Sequence, residues 1–84
     1  NEKPLFMFRN VTPTNIKRFG KEKNHLELIF THKLRNISAI SFFSTPEDWG
    51  IKENIPLTLI AHIEKSMFRA REEIRLRIID ILYI

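Results

Sequence analysis

Apolar and polar positions alternate with a period of two along most of the first half of the chain, the pattern of strands with one buried face. Leu5, Met7, Arg9 and Val11 fall on one face of the first run, and Phe6, Phe8 and Asn10 on the other. Pro13 interrupts it. Proline cannot donate to a central ladder, so the strand must bend, bulge or follow an edge before resuming through Ile16, Arg18 and Gly20. A long, bent first strand is predicted. The Lys-rich segment Phe19 to Asn24 contains Gly20 and reads as a hairpin loop. His25 to His32 sets Leu26, Leu28 and Phe30 against Glu27, Ile29 and Thr31, which makes a half-buried second strand. After a polar break at Lys33 to Asn36, a third strand runs from Ile37 to Ser44, with Ser38, Ile40 and Phe42 facing opposite to Ile37, Ala39, Ser41 and Phe43.

Thr45, Pro46, Glu47 and Asp48 then form a helix start, with Thr45 as N-cap, Pro46 at the first helical position and acids facing the dipole. Gly50 ends it almost at once, which leaves one short turn carrying Trp49, placed to plug the core from one end. From Leu57 onward periodicity gives two answers. Ile60, Ile63, Met67, Ala70, Ile74, Ile78 and Ile81 recur at helical spacing, whereas Leu57, Leu59, Ala61 and Ile63, and later Ile74, Leu76 and Ile78, alternate as strands do. Propensity favours helix through the Arg-Glu-rich middle, so pattern alone leaves both readings open.

At 84 residues there is room for one domain, spanning 1–84, with a thin core. No apolar stretch reaches the roughly 18 residues of a spanning helix, so no membrane is expected. Cysteine is absent, which excludes disulfides, thiolate metal sites and thiol nucleophiles, and fits a cytoplasmic setting. The start at Asn1 suggests a piece of a longer chain. Fourteen Lys and Arg against ten Asp and Glu give +4 and a pI near 9.8, which favours a polyanionic partner. The excess is concentrated between Lys17 and Arg35, where six bases face two acids. On charge alone, a solvated hairpin whose lysines protect a sheet edge explains this equally well.

Catalytic constellations are missing. The two aspartates, Asp48 and Asp80, have no His within three residues, so no ligand set for metal-assisted hydrolysis exists. His25 and His32 stand seven apart on one strand and point to opposite faces, which argues against zinc. Glu72 and Glu73 splay apart likewise, and two isolated glycines cannot cradle a phosphate.

The order of short motifs carries more information. Pro4-Leu5-Phe6 leading into Asn10-Val11, then Gly20-Lys21, Asn24-His25-Leu26-Glu27-Leu28, Ile37-Ser38-Ala39-Ile40-Ser41-Phe42, Ser66-Met67-Phe68-Arg69-Ala70 and Leu76-Arg77-Ile78-Ile79-Asp80-Ile81 together resemble the C-terminal portion of RecJ-type single-stranded-DNA-specific exonucleases. The resemblance covers nearly the whole chain. It implies an all-β fold, a small five-stranded OB-fold Greek-key barrel with one short helical turn between strands 3 and 4. Leu57 to Glu64 and Glu72 to Leu82 then become the fourth and fifth strands. At their turn, Ser66 and Ala70 occupy positions the family usually gives to Asn and Gly.

The same resemblance implies a single-stranded DNA-binding module of a nuclease active in DNA repair and recombination. Its catalytic domains, with their manganese or magnesium, would lie elsewhere in the parent, with no cofactor and no catalytic residue in this chain. The expected contacts are the first hairpin loop (Lys21, Lys23), its flanks (Lys17, Arg18, His25), the fourth-to-fifth turn (Lys65, Arg69, Arg71) and the outward Arg75 and Arg77, all converging on one groove. Phe68 and Phe19 are the stacking candidates, while Phe6, Phe8, Phe30, Phe42 and Phe43 are assigned to the core. The expected partners are single-stranded DNA and the rest of the parent nuclease, with the domain itself a monomer. A protein-docking barrel that braces the nuclease core is the alternative, and an RNA-binding OB domain is set aside only by the resemblance.

Overall fold

Pro13 breaks the first strand in two. The computed structural model describes residues 3–68 and 70–83, the side chains of Ser66 and Phe68 excepted. In it β1 spans Phe6–Val11 and β2 spans Asn15–Phe19, followed by β3 at His25–His32 and β4 at Arg35–Ser41. The short helix α1 covers Pro46–Trp49, and two long strands, β5 at Leu57–Phe68 and β6 at Arg71–Leu82, complete the fold. Six strands therefore replace the expected five, because the ring of Pro13 splits the first one. The break is structured. Pro13 is buried, its carbonyl accepts from the Asn54 N–H at 3.1 Å, and Thr14 ties both its N–H and its hydroxyl to the Ile29 carbonyl. Ahead of it, a bulge between Phe8 and Val11 is absorbed by Asn10 in the left-handed region.

The sheet order is β1-β5-β6-β4-β3-β2, antiparallel except for the β4–β6 pair. The two edge strands, β1 and β2, are consecutive in the chain and separated only by Thr12 to Thr14. A flat sheet cannot bring its two edges that close together, so the sheet must curl. The result is the OB-fold, with its bent first strand split into β1 and β2 at the two edges and with β4 and β6, the third and fifth strands of that fold, running parallel.

Inside the curl lie Leu26, Leu28, Ala39, Ile51, Leu57, Leu59, Ala61, Leu76, Ile78 and Ile81, with Phe8, Val11, Ile16, Phe30 and Trp49 packed against them. Trp49 seals one end as its position on α1 predicts. The helix has a full capping box, in which Thr45 Oγ1 accepts from the Asp48 N–H and Asp48 Oδ2 accepts from the Thr45 N–H, and Gly50 closes it in the left-handed conformation. The Tyr83 hydroxyl donates to the Trp49 carbonyl at 3.0 Å and pins the helix to the end of β6.

Three expectations are corrected. The polar break between the second and third strands is only the pair Lys33 and Leu34, both at positive φ, so β4 starts at Arg35 rather than Ile37. That strand ends at Ser41 because Phe43 turns into the left-handed region at φ 56. Phe42 and Phe43 consequently leave the core, 39% and 79% exposed, and Phe6 on the edge strand is exposed as well. At the far end the two strands that the resemblance implies are present and longer, Leu57–Phe68 and Arg71–Leu82, and Ala70 sits at φ 61 in the β5–β6 turn. A β-carbon is disfavoured there, so Ala70→Gly is expected to stabilise the fold by about 0.5–1 kcal/mol, net of the entropy glycine adds to the unfolded chain. Denaturant unfolding of the two proteins measures this, and a destabilised variant would contradict the assigned turn.

Candidate nucleic-acid interface

Strand register decides which side chains share the outer face. Leu26 pairs with Ser41 and Leu28 with Ala39, all turned inward. The alternate positions therefore face outward, and Lys17, Glu27, Ile40 and Arg77 form a row across β2, β3, β4 and β6. Ile40 is 5% exposed, yet it lies outside the core cluster. It floors a groove walled by Phe19, Phe42, Glu27 and Arg75. An apolar side chain on an outer face is thus covered by aromatic rings and arginine stems.

His25 organises the aromatic end of this face. Its ring lies 5.2 Å from Phe19, 5.1 Å from Phe42 and 4.8 Å from Phe43, the last two edge-on. Gly20, at φ 93, is required here because a β-carbon would collide with the His25 ring. His25 Nδ1 accepts the Phe43 N–H at 3.0 Å, which holds the strained Phe43 backbone and presents its ring to solvent. The guanidinium of Arg77 lies 4.6 Å from the Phe42 ring centre.

Glu64 holds the arginines from the other side. Its carboxylate meets Arg77 at 3.1 Å, Lys3 at 3.3 Å and Arg75 at 3.8 Å. Burial pushes its carboxyl up, but the Lys3 hydrogen bond and the charges of Arg77, Lys3 and Arg75 outweigh that and hold it below the ordinary 4.5. Nε of both Arg75 and Arg77 is buried without a hydrogen-bond partner among the described residues.

Beyond the shared Ala39–Leu76 and Ile40–Arg77 pairs, β4 and β6 diverge. A wedge of about 930 Å³ opens between the β3–β4 and β5–β6 hairpins, lined by Arg35, Arg71 and Arg75 but also by Glu27, Glu72 and Glu73. Because β4 and β6 are parallel, the β5–β6 turn lies at the same end as the β3–β4 turn. The lysine loop between β2 and β3 stands at the opposite end, beside the aromatic cluster. The two basic loops therefore bracket the face instead of meeting in one place, as strand direction requires.

The sequence that builds this bent-strand sheet matches a known family. The RecJ OB domain matches residues 1–80. The chain belongs to that family. No curated protein matches it. Among solved structures, a mitochondrial single-stranded DNA binding protein from S. cerevisiae shares the fold at a TM-score of 0.66 and 10% identity, over 95% of this chain and 94% of that one.

In this RecJ OB domain the expected site residues separate by face. Lys17, Arg71, Arg75 and Arg77 lie on or border the outer face, and Lys21 and Lys23 are exposed in its end loop. Arg18 does not belong with them. It pairs in register with inward-facing Leu26 and binds Glu47 of α1, with Nη2 to Oε1 at 2.6 Å. Lys65 shares the Ile74 face and pairs with Glu72 at 3.4 Å. Both departures arise because a two-residue period assigns faces that loop adjacency ignores. His25 serves as the hub of the aromatic cluster. Arg69 and the Phe68 side chain lie outside the described residues. Phe42 and Phe43 were missed because an Ile-Phe-rich run reads as core until the φ of Phe43 is known. Among the described residues no group of His, Asp and Glu could hold a metal ion.

Since its folded pKa is depressed, Glu64 contributes stability that is present above its ordinary 4.5 and lost as pH falls through the folded value. Glu64→Gln is expected to cost about 1 kcal/mol at neutral pH, with the deficit vanishing in acid. Thermal melting of both proteins across pH reads this directly, and a pH-independent deficit would exclude the charge network.

Proposed function

We propose that this RecJ OB domain is the single-stranded DNA-binding module of a longer RecJ-type exonuclease acting in DNA repair and recombination. Residues 1–84 form its one OB unit, a monomer in the cytoplasm, and pass substrate to metal-dependent catalytic domains elsewhere in the parent. The observation that carries this reading is the outer face, where solvent-facing aromatic rings at one end continue into arginines flanking an apolar-floored groove. Aromatic faces stack only on bases that are already unstacked, and cationic side chains hold phosphates without regard to sequence. The like-folded protein from S. cerevisiae, itself described as binding single-stranded DNA, supports this partner.

A second reading has its own observation. The inward-side face of the protruding β5–β6 hairpin exposes Ile63, Met67 and Ile74, positions suited to packing against the rest of the nuclease. On that reading the barrel docks and braces. Titration with fluorescent single-stranded DNA at low and moderate salt separates the two. Joint replacement of Lys17, Lys21, Lys23 and Arg71 by Ala should weaken binding and flatten its salt dependence by about 0.7 per lost contact. An unchanged slope would remove these residues from the interface, and absence of binding at low salt would give the lead to docking.

A further inference from the structure

Glu27 is out of place on a surface built for a polyanion. It stands mid-face between Lys17 and Ile40, half-buried, and borders both the wedge and the aromatic-walled groove. None of the ion pairs among the described residues includes it, although Arg75 lines the same groove. Its Oε2 instead accepts the Ser38 hydroxyl at 2.7 Å, which fixes the carboxylate across the β3–β4 pair and leaves Oε1 without a protein donor among the described residues. A phosphate cannot settle against a fixed carboxylate, so the sugar-phosphate chain is kept to the cationic rims. What enters the middle of the groove must be the edge of a base that offers a hydrogen-bond donor.

We propose that Glu27, positioned by Ser38, selects bases carrying an exocyclic amino group, cytosine above thymine or uracil, in the single strand that this face binds. The inference rests on the DNA-binding reading above. The discrimination lies at C4, where the carboxylate accepts from the cytosine amino group and is repelled by the uracil carbonyl oxygen, which leaves uracil only its N3–H as a donor on that edge. Phe19 and Phe42, packed edge to face on each other at 6.0 Å, form one aromatic wall of the same groove, beside the base whose edge is read.

Oligodeoxycytidine and oligodeoxyuridine of roughly 12 nucleotides, within the span of an OB groove, differ in this edge and not in a methyl group. The parent domain should bind the cytidine strand about tenfold more tightly, the discrimination expected of one good base contact. Glu27→Gln removes a negative charge while keeping an acceptor for Ser38, so both strands should bind at least as well as to the parent and the preference should collapse toward equality. Ser38→Ala, which frees the carboxylate to move, should reduce the preference without changing the salt slope. Equal binding of the two strands by the parent overturns the inference, as does a Glu27→Gln protein that melts lower yet keeps the parent's ratio, since that marks a purely structural carboxylate. Binding of neither strand at low salt would instead overturn the DNA-binding reading itself, which separates the two failures.

Discussion

The bend at Pro13 is the constraint from which the remaining architecture follows. One continuous segment has to serve as both edges of a single sheet, β1 beside β5 and β2 beside β3, with three residues between them. That is achieved by burying the proline and satisfying the surrounding backbone groups from Asn54 and Ile29. Once the edges are tied together, the sheet has an inside and an outside. Every alternate residue is then assigned to one or the other, which is why Leu26 and Leu28 are fully buried while Glu27 between them meets the groove.

The outer face is a second, smaller construction with its own energetics. Ile40 is buried by side chains that are themselves polar or aromatic, and the arginines that cover it are drawn in by Glu64. A cluster of two arginines and a lysine around one carboxylate leaves an excess of positive charge and two buried guanidinium nitrogens without a hydrogen bond among the described residues. Each such donor carries a desolvation cost that the neighbouring Glu64 charge offsets only in part. Glu64 thereby keeps Arg75 and Arg77 extended and ordered ahead of any ligand.

Much of the fold was legible in the sequence, and for identifiable reasons. The period of two over His25 to His32 matches β3 at both ends, and Thr45-Pro46 with Gly50 bound α1 exactly as capping chemistry requires. The strand breaks were less legible, because Lys33, Leu34 and Phe43 adopt positive φ with no glycine or asparagine to announce it. The helical periodicity from Ile60 to Ile81 arises where two strands meet at a turn, and only the family resemblance decided between the readings. Basic residues were legible as a set but not as a surface. Arg18 and Lys17 are neighbours in sequence on opposite faces, and charge counting cannot separate them.

The arrangement of the outer face also bears on strandedness. A duplex presents phosphates on both flanks and keeps its base faces stacked, so it needs a broad positive surface and has no use for a ring standing free in solvent. Here the wedge carries as many glutamates as arginines, and Phe43, the most exposed aromatic among the described residues, is held out by a hydrogen bond from its own backbone to His25. Cations stand at the rims of this face, whereas its middle offers an apolar floor, ring edges and a fixed carboxylate. That division suits a chain whose bases can turn inward while its backbone stays outside, which is the geometry of a single strand.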